Sequence, residues 1–275
     1  VSDNTKELLY IEDGRYYINI GYKLKFYNTK KKYGSFTNKI KKDVDCILDF
    51  FKNIIGENNI KDYDYFMKCL KAYCLGMKID IAMVLRGIKR IGKSTIALII
   101  EGILGGDCCE HDNGSLLLTK FNERMRGKAI IFFDEIQTAN NNERIMIDGK
   151  IKTLITENTI TFENKNVKAD STTHKTNFIF ISNYDHTIDP SDDRYFLVDL
   201  SIKYRRNYEL FDKLHKLCKD EGVMHCLYCY IVEKINITTF RPQQDLPKTK
   251  NKQDANIRCL EKEYTFLKEK YIKRN

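Results

Sequence analysis

The chain has 275 residues, 42% hydrophobic and 31% charged, and its 47 Lys and Arg exceed its 38 Asp and Glu to give a formal net charge of +9. This is enough for one large domain or a core with small appendages. No apolar run reaches the length needed to span a bilayer, and the sequence shows no signal-peptide pattern. The positive balance fits a nucleic-acid partner, and nine cysteines without a regular framework favour free thiols in a reducing, cytoplasmic compartment.

Residues 1–36 read as a β-rich segment or linker. Leu8 to Glu12 and Arg15 to Ile20 flank Asp13-Gly14, a hairpin turn signal, and Lys30-Lys31-Lys32 lead on to Gly34. The chain opens at Val1 rather than Met, which suggests a fragment or a processed piece, and the segment reads as the edge of something upstream. Residues 37–78 read as a helical hairpin. Thr37 is placed to cap a helix through Ile40, Val44, Ile47, Leu48, Phe51 and Ile54, ended by Gly56. A second helix carries Tyr65, Phe66, Cys69, Leu70 and Tyr73.

The most informative stretch follows. Ile81 to Leu85 is short and apolar enough for a buried parallel strand, and Thr95 to Leu104 reads as a helix stopped by Gly105-Gly106. Between them stands Gly87-Ile88-Lys89-Arg90-Ile91-Gly92-Lys93-Ser94-Thr95, which fits the phosphate-binding pattern of Gly, four residues, Gly-Lys and Ser or Thr. Strand, glycine loop and helix N-terminus together make an anion site, because loop amides and the helix dipole face the same point. In such a loop Lys93 reaches the β- and γ-phosphates of ATP and the Ser94 hydroxyl ligates Mg²⁺. Arg90 and Ile91 stand where many such loops carry glycine, which predicts a stiffer loop.

Lys128 to Glu135 reads as a strand ending in two carboxylates. After a phosphate loop, Asp134 is expected to hold Mg²⁺ through water and Glu135 to polarise the water that attacks the γ-phosphate. Lys150 to Thr156 reads as a helix end, Thr159 to Phe162 as a strand, and Asn164 to Asn166 as a polar tip. A further strand, Phe178 to Ser182, ends in Asn183, and Arg194 follows in Asp192-Asp193-Arg194-Tyr195-Phe196. His215, Cys218, His225, Cys226 and Cys229 include metal-ligand spacings. Their segment reads better as two helices, Leu210 to Lys219 and Val223 to Glu233, with packing cysteines.

The ordered set of phosphate loop, Phe133-Asp134-Glu135, the Lys152-to-Lys168 stretch and the strand ending in Ser182-Asn183 resembles superfamily 3 helicases, AAA+-type ring ATPases of viruses, phages and plasmids. Tyr230 to Glu233, Ile235 to Phe240 and Pro247-Lys248-Thr249 look most like the helicase half of phage and large-DNA-virus (poxvirus-type) primase-helicases. The resemblance implies an α/β P-loop fold: a parallel sheet between helices, a collar-like helical hairpin at 37–78, an ATPase core at 79–204 and a C-terminal helical region at 205–275. It implies that Asn183 is the polar sensor beside Glu135 and that Arg194 is an arginine finger acting on the neighbouring subunit. Lys165 would grip DNA from a channel hairpin, with Asn166 and Lys168 beside it. The implied function is ATP-driven translocation of a homo-hexamer on single-stranded or forked DNA, with a primase upstream on the same polypeptide and a viral replication compartment as its setting. Two alternatives stay open: an RNA helicase of a positive-strand RNA virus on the same core, and a P-loop switch or scaffold that moves nothing.

Overall fold

The computed structural model describes residues 3–7, 9–19, 21–57, 59–118, 122–134, 136, 141–162, 170–183 and 192–247. Strands β1 (Leu9–Glu12) and β2 (Arg15–Ile18) pair antiparallel. Asp13 (φ 50°) and Gly14 (φ 72°) both take the left-handed conformation that a two-residue hairpin turn needs. The next stretch is more than a linker. Leu24 and Phe26 are buried in the main core, and the Lys25 N–H donates to the Leu104 carbonyl at 2.8 Å.

Helix α1 (Asn38–Ile55) starts where the Thr37 side chain accepts the Ile40 N–H and closes at Gly56; α2 (Ile60–Cys74) is capped by Asn59. The apolar positions expected from helical spacing, Val44, Ile47, Phe51 and Ile54 on α1 and Phe66, Cys69, Leu70 and Tyr73 on α2, are buried. There follow β3 (Ala82–Arg86), α3 (Lys93–Leu104), β4 (Cys109–Asp112), α4 (Ser115–Leu118), β5 (Ile130–Asp134), α5 (Asn141–Thr156), β6 (Thr159–Phe162), β7 (Asp170–Thr173), β8 (Asn177–Ser182), β9 (Tyr195–Asp199), α6 (Tyr208–Lys219) and α7 (Glu221–Lys234).

Five of these strands form one parallel sheet in the order β4-β5-β8-β3-β9, so this is an α/β fold with a parallel sheet flanked by helices. Strand alternation divides the core. Met83, Leu85, Ile130, Phe132, Ile179 and Phe196 face α1, α2, α3 and α7. Ala82, Val84, Ile131, Phe133, Phe178 and Leu197 face α4 and α5. Each fully buried Phe contributes roughly 2–3 kcal/mol of apolar transfer, so this two-faced packing fixes where the strand ends lie. β6 and β7 pair separately as an antiparallel hairpin. No helix among the described residues is long and apolar enough to cross a membrane.

Candidate functional site

In a parallel sheet all strands deliver their C-terminal ends to one edge, and ligands bind in the crevice beyond it. The register pairs Arg86 with Ser182 and Asp134 with Ile181, so the ends of β3, β8 and β5 stand at one level. The loop that follows β3, Asn183 and Asp134 therefore converge.

Two glycines let the loop close. Gly87 has φ 152°, and a Cβ there would lie 2.5 Å from Ile91 Cδ1. Gly92 has φ 106°, and a Cβ there would meet Phe211 Cε1 at 2.8 Å and Phe50 Cζ at 3.1 Å. The departures from glycine have physical reasons. Ile91 is fully buried and anchors the loop in the core, while Arg90 takes φ 67° and its carbonyl accepts the Arg206 N–H at 3.0 Å. Arg206 is itself left-handed, at φ 60°. Such residues cost about 1–3 kcal/mol each and cluster where surrounding structure enforces them for function.

Lys93 opens α3 and is 8% exposed. Its Nζ donates to the Gly87 carbonyl at 2.6 Å, the Ile88 carbonyl at 2.9 Å and Asn183 Oδ1 at 2.6 Å. Ser94 is exposed to the cavity, whereas Thr95 is buried with its Oγ1 3.3 Å from His215 Nε2. Asp134 Oδ2 lies 3.5 Å from His111 Nδ1, and Glu101 Oε1 lies 3.7 Å from His111 Nε2. The two carboxylates, Asp134 first and Glu101 second, push His111 up to about 9, and its ring stacks on Phe132 at 4.7 Å.

The cavity between these groups measures about 980 Å³. Lys93, Ser94, Asp134 and Asn183 line one side; Arg206 and the α6 residues Tyr208, Phe211 and His215 line the other. The α6 wall was not foreseen. Residues 208, 211 and 215 do fall at three- and four-residue spacing on one helix face, a pattern less conspicuous than the metal-ligand spacing of the His and Cys residues. His215 approaches Thr95, whereas His225 stacks on Phe26 and meets Thr29 Oγ1 at 2.5 Å. Among the described residues no cluster of three or more His, Cys, Asp or Glu could hold a metal.

Arg194 is not brought to this cavity. It precedes β9, and its carbonyl accepts the Ala82 N–H at 2.9 Å, at the opposite end of the sheet. A five-residue strand separates the two ends by roughly 16 Å. Its Nε lies 3.0 Å from Asp192 Oδ1, and Lys152 lies 3.3 Å from Asp192 Oδ2. Glu135, Lys165, Asn166 and Lys168 lie outside the described residues.

Residues 85–195 match a model described as a family of unknown function, DUF5906. The chain is 26% identical over 164 residues to a protein called DNA primase-polymerase from Nitratiruptor phage NrS-1. That alignment covers 57% of this chain and 23% of the phage protein. Two apo structures of the NrS-1 C-terminal region share the fold. One has TM-score 0.69 at 20% identity over 91% of this chain, the other 0.68 at 18% over 92%. The chain spans 58% of the length of each.

Proposed function

We propose that the cavity binds ATP with Mg²⁺ and hydrolyses it, and that the chain couples this hydrolysis to movement on DNA as the motor part of a phage-type replication protein. The observation that carries the reading is the position of Lys93 Nζ. It lies within the loop, on two loop carbonyls and on Asn183, at the strand ends that also carry Asp134. Incoming phosphate oxygens replace the carbonyls as acceptors, and Asn183, released from the lysine, is then placed to orient water. Similarity to a DNA primase-polymerase supports a DNA-replication setting, and the superfamily 3 resemblance supports a ring.

The donor set suits Mg²⁺, a hard cation that takes few protein oxygens and completes its shell with phosphate and water. The Ser94 hydroxyl and the Asp134 carboxylate, both on the cavity, are such donors. Bound there, Mg²⁺ neutralises charge on the triphosphate. Arg206 adds a guanidinium to the same cavity, and Tyr208 and Phe211 offer aromatic surface to a base.

Glu135 is assigned to activate the water, so Glu135→Gln keeps nucleotide binding and loses turnover. Lys93→Ala weakens binding and loses turnover, because the β- and γ-phosphates lose the cation fixed between them. Binding of a fluorescent ATP analogue, read beside phosphate release, separates the two. Native turnover in Glu135→Gln would remove the assigned base.

A further inference from the structure

One stretch of this chain is strongly positive and carries no acid. Residues 14–42 contain nine of the 47 Lys and Arg and none of the 38 Asp and Glu, so the remaining residues hold 38 of each and are neutral. A composition biased toward lysine gives no reason for acids to be missing from one stretch. The stretch is also rich in aromatic residues, with Tyr22, Phe26, Tyr27, Tyr33 and Phe36 set between the lysines.

The structure holds this stretch as a fixed strap. Leu24 and Phe26 are buried, Phe26 stacks on His225 at 4.5 Å, and the Leu24 N–H donates to the Asn4 carbonyl at 3.0 Å. The strap then crosses α7 and enters α1. At the crossing, Lys41 Nζ lies 5.4 Å and Lys234 Nζ 6.0 Å from the centre of the Tyr33 ring, and Lys31 Nζ lies 5.6 Å from that of Phe36. The Glu233 carboxylate is engaged by the Tyr33 N–H at 2.7 Å. Lys30, Lys31 and Lys32 are exposed, and among the described residues none of them is ion-paired, whereas Lys23 and Lys25 pair with Glu7 and Glu221.

We infer that this lysine ledge is a binding track for single-stranded DNA, separate from Lys165 and from the nucleotide cavity. Exposed cations on a fixed backbone meet phosphates without a backbone-ordering cost, and they release condensed counterions from the strand. Tyr22, 46% exposed on the same strap, offers a ring face to an unstacked base, which a closed duplex would not use. The inference rests on the proposed DNA function and gives it an entry surface on the N-terminal side.

The test uses the full chain and a fluorescent oligothymidylate, with affinity measured at several salt concentrations. Changing Lys30, Lys31 and Lys32 together to Gln should flatten the log affinity–log salt slope by about 2, at about 0.7 per lost phosphate contact. Changing all three to Arg should keep the native slope, and basal ATP turnover should be unchanged in both variants. An unmoved slope in the Gln variant, with native DNA binding intact, overturns the ledge and leaves the DNA motor standing. Equal loss on duplex DNA overturns the single-strand assignment, and a loss confined to binding of phosphatidylserine vesicles assigns the ledge to a membrane surface. A native chain that binds no DNA overturns both the ledge and the DNA function.

Discussion

The loop at the end of β3 buries its lysine, whereas the strap ahead of α1 leaves several in water. Lys93 is 8% exposed and is positioned by two loop carbonyls and Asn183, with Gly87, Arg90 and Gly92 held at positive φ around it. Lys30, Lys31 and Lys32 are exposed and follow one another along the chain. Burial and fixed backbone geometry suit one compact ligand, the proposed triphosphate, whereas dispersed surface charge suits a polymer read without sequence. The two should therefore respond differently to salt. The cavity is shielded and shape-dependent, while the ledge loses affinity as counterions compete.

The largest expected effect concerns a cation that belongs to neither region. Arg194 stands at the far end of the sheet from Lys93, paired with Asp192, so in this chain it does not reach the cavity beside its own phosphate loop. If it serves the neighbouring subunit, Arg194→Ala cuts turnover on the order of 10³–10⁵-fold with nucleotide affinity nearly intact. Mixing Arg194→Ala with Glu135→Gln protein, each nearly inactive alone, should restore turnover at junctions that pair an intact Glu135 with an intact Arg194. Mixtures that stay inactive at every ratio would end the trans-acting role.

A smaller effect sharpens the contrast between the cavity and the ledge. Gly92→Ala places a Cβ at φ 106° against Phe211 and Phe50. With strain of about 1–3 kcal/mol, nucleotide affinity should fall by roughly 5- to 150-fold, while the salt slope for DNA stays native. A matching change in the DNA slope would show that the two regions are not independent.

The fold was legible wherever the apolar pattern was strong. Ile81 to Leu85 and Phe178 to Ser182 are short apolar runs and Val44 to Ile54 a helical stripe, and they correspond to β3, β8 and α1. β4 was not legible, because Cys-Glu-His-Asp at 109–112 is short and polar and is a strand through its pairing with β5. β7, Asp-Ser-Thr-Thr, likewise depends on its partner β6. β9 is an apolar run that could have been read, but the acids before it drew attention to Arg194. At the site, the loop motif placed Lys93 and Ser94 because its spacing is set by local backbone geometry. His111 and Arg206 were missed because they arrive from β4 and from the turn before α6, contacts far apart in sequence.

The central claim is that nucleotide hydrolysis at the β3 loop is coupled to DNA. The most direct measurement is ATP turnover by the full chain, with and without single-stranded DNA, for the native protein and for Lys93→Ala. Native turnover should rise several-fold on adding the strand, and Lys93→Ala should show none in either condition. Turnover that is indifferent to every nucleic acid, or that survives in Lys93→Ala, would contradict the account.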